Sequence, residues 1–350
     1  MEKSDLRIVF MGTPEFAVPT LDAIISNGYN VVAVITQPDK PAGRHQDTLQ
    51  PSPVKRYAVA KGIPVMQPVK MRDGQFVDQL RSFGANLQVV VAFRMLPEVV
   101  WAMPRYGTFN VHASLLPQYR GAAPINWAII NGETLTGVTT FFLDHEIDTG
   151  RIIMQKPFPI AADANVEDVY NGLMRLSAGI AVETIRRIVA TDGNVPTMAQ
   201  ADMTQQPAAA SPQGSPSDGA AAAVLHPAPK IFKDTCRIDW NAGAKRVYDF
   251  VRGLSPYPGA WTNLVQPSGR LAMLKIYRTS RTGISVNGIR DRHGSPLYSP
   301  GSVTVDGNSL FIAAADELLR IDELQLAGKK RMSARDFLNG MRNAGSLRAE

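Results

Sequence analysis

Along the first two thirds of the chain apolar positions come in unbroken runs rather than in alternation. "LRIVFMG" (6–12), "VVAVIT" (31–36) and "LQVVVAF" (87–93) read as short strands with both faces buried, the signature of a parallel sheet. Between them, "TPEFAVPTLDAIISNG" (13–28) reads as a helix with a Thr cap, a Pro in its first turn and a Gly at its end. "PSPVKRYAVAKG" (51–62) reads as a second helix. Strand, helix and strand in succession predict βαβ units and a Rossmann-like α/β domain. The first turn lacks G-x-G-x-x-G, so a dinucleotide site is not expected there.

The series continues with "TFNVHASLL" (108–116) as a strand and "GAAPINWAIINGE" (121–133) as a helix closed by Gly132. "TGVTTFFLDHEIDTGRIIMQ" (136–155) follows as two strands around an acidic turn. Apolar residues at helical spacing over 166–191 close the first domain with a long helix. Residues 204–229 are Ala, Pro, Ser, Gly and Gln with almost no large apolar side chain before Val224. They cannot support a core and predict a disordered linker between a catalytic domain at 1–203 and a second domain at 230–350. The second domain opens on a helix ending at Gly253. Short strands follow at 271–280, 301–307, 309–314 and 318–326, which predict a small, OB-like β-barrel. A last helix, "MSARDFLNGMR", starts at the Ser333 cap.

Length and composition fit this division: 350 residues with 45% hydrophobic side chains can bury two cores. No apolar run is long enough to span a bilayer and no signal-peptide pattern opens the chain, so a cytoplasmic location is expected. One cysteine, Cys236, excludes an internal disulfide and a cysteine-built zinc site, and the histidines lack metal-motif spacing. Charge changes the picture more. From Lys230 onward 19 Lys and Arg face 11 Asp and Glu, a net +8 in a chain of net +6. That asymmetry suits a polyanionic partner and equally suits a solvated surface.

One stretch resists the apolar pattern. "FNVHASLLPQYRGAAP" (109–124) places Asn110 and His112 two apart on a strand, hence on one face, and Asp148 lies in the acidic turn of the next strand pair. An amide donor, an imidazole and a carboxylate suit acyl transfer, in which an oxyanion must be stabilised and a proton removed. The same residues are also compatible with a hydrogen-bonded polar cluster in a core. Ser114 is not in a G-x-S-x-G elbow, which argues against a serine hydrolase.

"FNVHASLLPQYRGAAPINWAIINGE" with "TGVTTFFLDHEIDTGRII" closely resembles the folate-dependent formyltransferases. Further matches, in family order, are "IVFMGTPEFAVPTLDAI", "TQPDKPAGR", "PSPVK", "VVVAF", "RIDWN" and "LAGKKRMSARDFLNG". The resemblance implies Asn110, His112 and Asp148 as the catalytic set. It implies a folate site along Ser114, Leu115, Leu116 and Pro117, flanked by Phe93, Arg94 and Met95, with 10-formyltetrahydrofolate as co-substrate and no metal. It further implies a monomer whose acceptor is methionine on initiator tRNA, contacted by Arg44 in the loop after the second strand. Lys245, Arg246, Arg252, Lys329, Lys330 and Arg331 would serve the phosphate backbone.

Three features depart from the family pattern. His-Gln-Asp-Thr-Leu follows Arg44 where basic residues are common, Arg94 stands where small or apolar residues are usual, and the 204–229 insertion is long. Two rival readings remain: a formyltransferase for a small amine, which would not need the basic second domain, and a non-catalytic RNA-binding protein, which would not need Asn110, His112 and Asp148.

Overall fold

Seven strands form the first sheet of the computed structural model, which describes residues 2–42, 48–204, 224–265, 269–289, 293, 297–340 and 346–350. They are β1 (Arg7–Gly12), β2 (Asn30–Ile35), β5 (Val65–Met66), β6 (Leu87–Val91), β7 (Thr108–His112), β8 (Leu135–Phe142) and β9 (Ile152–Pro159). The two strands between β2 and β5, β3 (Lys40–Ala42) and β4 (Thr48–Gln50), pair as a separate hairpin. The sheet order is β5-β2-β1-β6-β7-β8-β9, parallel from β5 to β7 and antiparallel from β7 to β9. The unbroken apolar runs are explained by burial: every residue of β6, and all of β1 after Arg7, is buried.

The helices that return the chain between parallel strands are α1 (Val18–Ser26), α2 (Pro53–Ala60), α3 (Gly74–Ser82) and α4 (Glu98–Trp101). Ser52 and Asp73 cap α2 and α3, accepting from the amides of Lys55 and Phe76. The expected Thr cap of the first helix is corrected. A 3₁₀ turn (Glu15–Ala17) intervenes, α1 begins at Val18, and Pro19 occupies its first turn. A single core on one side of the sheet joins Val9, Met11, Ile35 and Val90 to Phe76 and Leu80 of α3.

The chain resolves into two compact units that do not divide at one point in sequence. The first holds Met1–Gly121, Leu135–Pro159 and Tyr170–Pro227, and the second holds Ala122–Thr134, Ile160–Val169 and Ala228–Glu350. The predicted helix near 121–133, α5 (Pro124–Ile130), therefore belongs with the second unit. The long helix expected over 166–191 is α6 (Val166–Ala190), and a short α7 (Gln200–Thr204) follows it. In the second unit α5 lies against α8 (Ala244–Gly253), where Asn126 donates to the Gly253 carbonyl at 2.8 Å. A Cβ at Gly253 would sit 2.7 Å from the Ile130 side chain, so this helix contact needs a glycine.

The rest of the second unit is an antiparallel sheet of β10 (Ala260–Val265), β11 (Leu271–Ser285), β12 (Val303–Asp306), β13 (Ser309–Ala313), β14 (Glu317–Leu326), β15 (Met332–Ser333) and β16 (Arg348–Ala349). Its order is β12-β13-β14-β11-β10-β16, with β15 added to β14. A bridge between Ser302 and Arg348 joins the two ends of that order, so the sheet curls into a closed, barrel-like shape. Trp240, Val247, Leu274, Ile312, Leu319 and Phe337 fill its interior. The predicted cap of the final helix, α9 (Ala334–Asn339), is present, with Ser333 accepting from the Asp336 amide. Of the predicted linker, residues 205–223 lie outside the described residues. Its tail is not free: the backbone of Val224 and His226 is hydrogen-bonded to the side chain of Gln118, and Tyr119 N donates to His226 O.

Candidate active site

β7 carries the chain's polar cluster to the edge where the parallel strands end. Val91 of β6 pairs with Val111 of β7, so the segments after them, 92–95 and 113–117, leave the sheet side by side. That edge of an open α/β sheet is where ligands bind.

Asn110 and His112 share a face of β7, and the turn between β8 and β9 brings Asp148 to His112. Asp148 has a left-handed backbone (φ 56°), uncommon for a residue with a side chain. Its Oδ2 lies 3.8 Å from His112 Nδ1, within ion-pair range but beyond hydrogen-bond distance. His112 is 7% exposed, and its Nε2 donates to the Tyr119 carbonyl at 2.9 Å. That bond places a proton on Nε2 and leaves Nδ1 as the nitrogen facing the carboxylate. Asp148 Oδ2 also accepts from the Gly121 amide at 2.9 Å. Asn110 differs from its neighbours: half-buried, its side-chain amide has no hydrogen-bond partner among the described residues. A half-buried amide without such a partner is open to water or a ligand.

The Ser-Leu-Leu-Pro segment is rigidly held. Ser114 Oγ donates to Gln118 O at 2.7 Å, Leu116 N donates to Thr139 Oγ1 at 3.1 Å, and Gln155 Nε2 donates to Leu116 O at 2.7 Å. Ser114 and Leu116 are buried and Leu115 and Pro117 half-buried, with a cis bond before Pro117. In the adjoining segment Phe93 is half-buried and Met95 is 75% exposed. Arg94 is turned toward another loop, donating to the carbonyls of Pro68 and, at 2.9 Å, Val69. Burial lowers its pKa, and its Nε has no partner among the described residues.

The predicted basic residues separate into distinct groups. Arg44 lies outside the described residues. Its loop is rooted by Lys55, which donates to Asp39 at 2.5 Å and to Gln67 at 2.7 Å. Hydrogen bonds from Lys55 and Gln67 hold the Asp39 pKa below its ordinary value. Lys245, Arg246, Lys329, Lys330 and Arg331 are exposed on the second unit, and Lys245 pairs with Asp249. Arg331 forms a bidentate pair with Glu323 at 2.6–2.7 Å and stacks on Tyr277.

Arg252 corrects the expectation of a surface cation. It is 7% exposed, its Nε donates to buried Asp249 at 2.8 Å, and its Nη1 donates to the Ala164 carbonyl at 2.9 Å. A guanidinium so engaged braces the helix instead of meeting phosphate.

An amide with no partner among the described residues, beside an imidazole and a carboxylate at the ligand-binding edge of a doubly wound sheet, is an arrangement that suits group transfer. Residues 6–185 match the model of the formyl transferase family and residues 230–342 match that of its C-terminal domain; the chain belongs to this family.

A methionyl-tRNA formyltransferase of Parabacteroides distasonis is 54% identical over 343 residues, covering 98% of each chain. One from Porphyromonas gingivalis is 44% identical over 340 residues, covering 97% of each. The fold is shared with solved structures at lower identity. One is a sugar 3N-formyl transferase, WlaRD (TM-score 0.57, 19% identity, 93% of this chain and 99% of that one). Another is HypX from Aquifex aeolicus in complex with tetrahydrofolic acid (TM-score 0.56, 16% identity, 95% of this chain and 47% of that one).

Sequence reasoning missed Arg120 and Gln200. Gln200, 3% exposed, accepts from Arg120 Nε at 3.0 Å and Nη2 at 2.6 Å, and donates to the carbonyls of Asp148 and Gly150 at 2.8 and 2.9 Å. The only signal in the sequence was the Arg inside the polar stretch; nothing around position 200 marked it.

Proposed function

We propose that the chain transfers the formyl group of 10-formyltetrahydrofolate to the amino group of methionine on initiator tRNA, giving formylmethionyl-tRNA for translation initiation. The observation that carries this reading is the Asn110 amide, without a hydrogen-bond partner among the described residues, on the same strand face as His112, the partner of Asp148. Near-full-length relatives bearing the name methionyl-tRNA formyltransferase support the acceptor.

On this reading the methionine amine attacks the formyl carbon, and the carbonyl oxygen becomes an oxyanion that takes a hydrogen bond from Asn110. The ammonium so formed loses a proton toward His112 Nδ1 and Asp148, directly or through one water. The tetrahedral carbon then expels the folate nitrogen, which leaves with a proton, and the formyl group ends on the methionine nitrogen. The segments 93–95 and 114–117 flank the folate. Catalysis is assigned to residues 1–203 and tRNA binding to 230–350, with Arg44, Lys245, Arg246, Lys329, Lys330 and Arg331 toward the tRNA phosphates. The protein works as a monomer in the cytoplasm, where its acceptor is charged.

The test offers the purified protein 10-formyltetrahydrofolate with methionyl initiator tRNA and, in parallel, glycinamide ribonucleotide. Formylation of the tRNA alone is expected. Formylation of the small amine alone would keep the chemistry and overturn the acceptor, and folate binding without transfer to either would overturn the reading.

A further inference from the structure

Three consecutive residues of the polar stretch reach the two titratable groups of the site. The Tyr119 carbonyl accepts from His112 Nε2 at 2.9 Å, and the Gly121 amide donates to the Asp148 carboxylate at 2.9 Å. Between them, the Arg120 side chain donates twice to Gln200, whose own amide donates to the carbonyls on either side of Thr149.

Gln200 arrives there by register. Ile152 and Met198 exchange backbone hydrogen bonds of 2.8 and 2.9 Å in an antiparallel bridge. Two residues beyond Met198 is Gln200 and two before Ile152 is Gly150, so pairing brings them opposite each other. Arg151 reinforces the bridge, donating to Thr197 Oγ1 at 2.7 Å and to its carbonyl at 2.9 Å. Every hydrogen-bonding capacity of the Gln200 amide is then used: both N–H groups on carbonyls, and the oxygen on a bidentate guanidinium. A buried amide satisfied so fully fixes one geometry.

Asp148 is held at φ 56°, a left-handed conformation that Asp adopts more often than most residues with a side chain. Gly150 is packed so closely that a Cβ there would stand 1.7 Å from the Phe142 carbonyl oxygen.

We propose that Gln200, oriented by Arg120, is a positioning residue for the formyl transfer: it clamps the 148–150 turn in the left-handed conformation that holds the Asp148 carboxylate against His112. The proposal rests on the formyl-transfer reading of the site. It makes the segment at 196–200 part of the catalytic apparatus through its hold on the 148–150 turn.

The experiment compares Gln200→Ala and Gln200→Glu with wild type, each also in an Asp148→Ala background. The Glu variant keeps an acceptor for Arg120 but loses both N–H donors, so it preserves the fold while releasing the turn. Both single variants should lose about 10- to 100-fold in kcat, with KM for the formyl donor within about twofold, as expected when a reacting group is displaced. In the Asp148→Ala background the further loss should fall below about twofold, because the two residues act as one unit.

Amide hydrogen exchange over 148–150, faster in both variants than in wild type, reads the clamp without the reaction. Wild-type kcat in Gln200→Glu, an equal loss in both backgrounds, or unchanged exchange would overturn the proposal. A wild-type protein that formylates neither acceptor would instead overturn the functional reading, and the exchange measurement would still decide whether the clamp exists.

Discussion

Replacing Asn110 with Ala separates catalysis from folding more cleanly than any other change at this site. The amide is half-buried on β7, with Val90 and Phe141 as its cross-strand neighbours, and has no hydrogen-bond partner among the described residues. Its removal therefore breaks no hydrogen bond to a described residue, and the effect on stability is limited to strand propensity and packing, within about 1 kcal/mol. If the amide donates to the oxyanion, its loss costs about 2.7–4 kcal/mol of transition-state stabilisation, or about 100- to 1,000-fold in kcat.

Asn110→Asp keeps the shape but sets a second negative charge against the developing one, so it should lose at least as much. Single-turnover formyl transfer and urea unfolding, run on the same preparations, measure the two effects. A rate within about threefold of wild type would refute the oxyanion role. An unfolding free energy lowered by more than about 2 kcal/mol would show that the amide serves the fold.

Other measurements probe the second unit. Asp249→Ala strands the buried Arg252 guanidinium and should destabilise that unit by about 3–5 kcal/mol in urea unfolding. Burial pushes the Glu317 carboxyl up, but the Gly283 amide, Arg281 and the Thr282 amide hold it, on balance, below its ordinary 4.5. A carboxylate depressed in the folded state stabilises above its unfolded pKa and loses that contribution as pH falls through the folded value. Urea midpoints followed downward from about pH 6 should therefore drop below about pH 4.5, and less steeply in Glu317→Gln. Neutralising Lys329 and Lys330 should reduce the slope of log affinity for tRNA against log salt by about one for each phosphate left without its cation. Gly301→Ala, whose Cβ would fall 2.1 Å from the Ala349 carbonyl oxygen at φ 83°, should open the barrel seam and lower the thermal midpoint of unfolding.

The buried strands were legible because parallel strands leave no polar face, and β6 reads as the apolar run it is. The polar cluster was legible for the opposite reason: Asn110 and His112 interrupt such a run at strand spacing. The β8–β9 turn brings Asp148 to His112 from 36 residues further along the chain. Arg252 was misread because a cation on a helix usually faces water. The correction was present in sequence, since Asp249 stands three residues before Arg252 and four after Lys245. Gln200 was beyond reach, because its place depends on a bridge to Ile152 that no periodicity announces. α5 was read correctly as a helix but assigned to the wrong neighbours, since proximity in sequence says little about which core an isolated helix joins.

The frame around His112 and Asp148 is made largely of peptide groups: the carbonyls of Tyr119, Asp148 and Gly150 and the amide of Gly121. No substitution can alter a peptide carbonyl, so a lost Gln200 has no compensating change at 148 or 150 that would restore its grip. Among relatives, position 200 should then show little covariation with the turn it holds, and pairwise coupling should appear only with position 120, where side chain meets side chain. An evolutionary search for residue pairs would thus pass over the contacts that orient the chemistry and find only the pair one layer behind them.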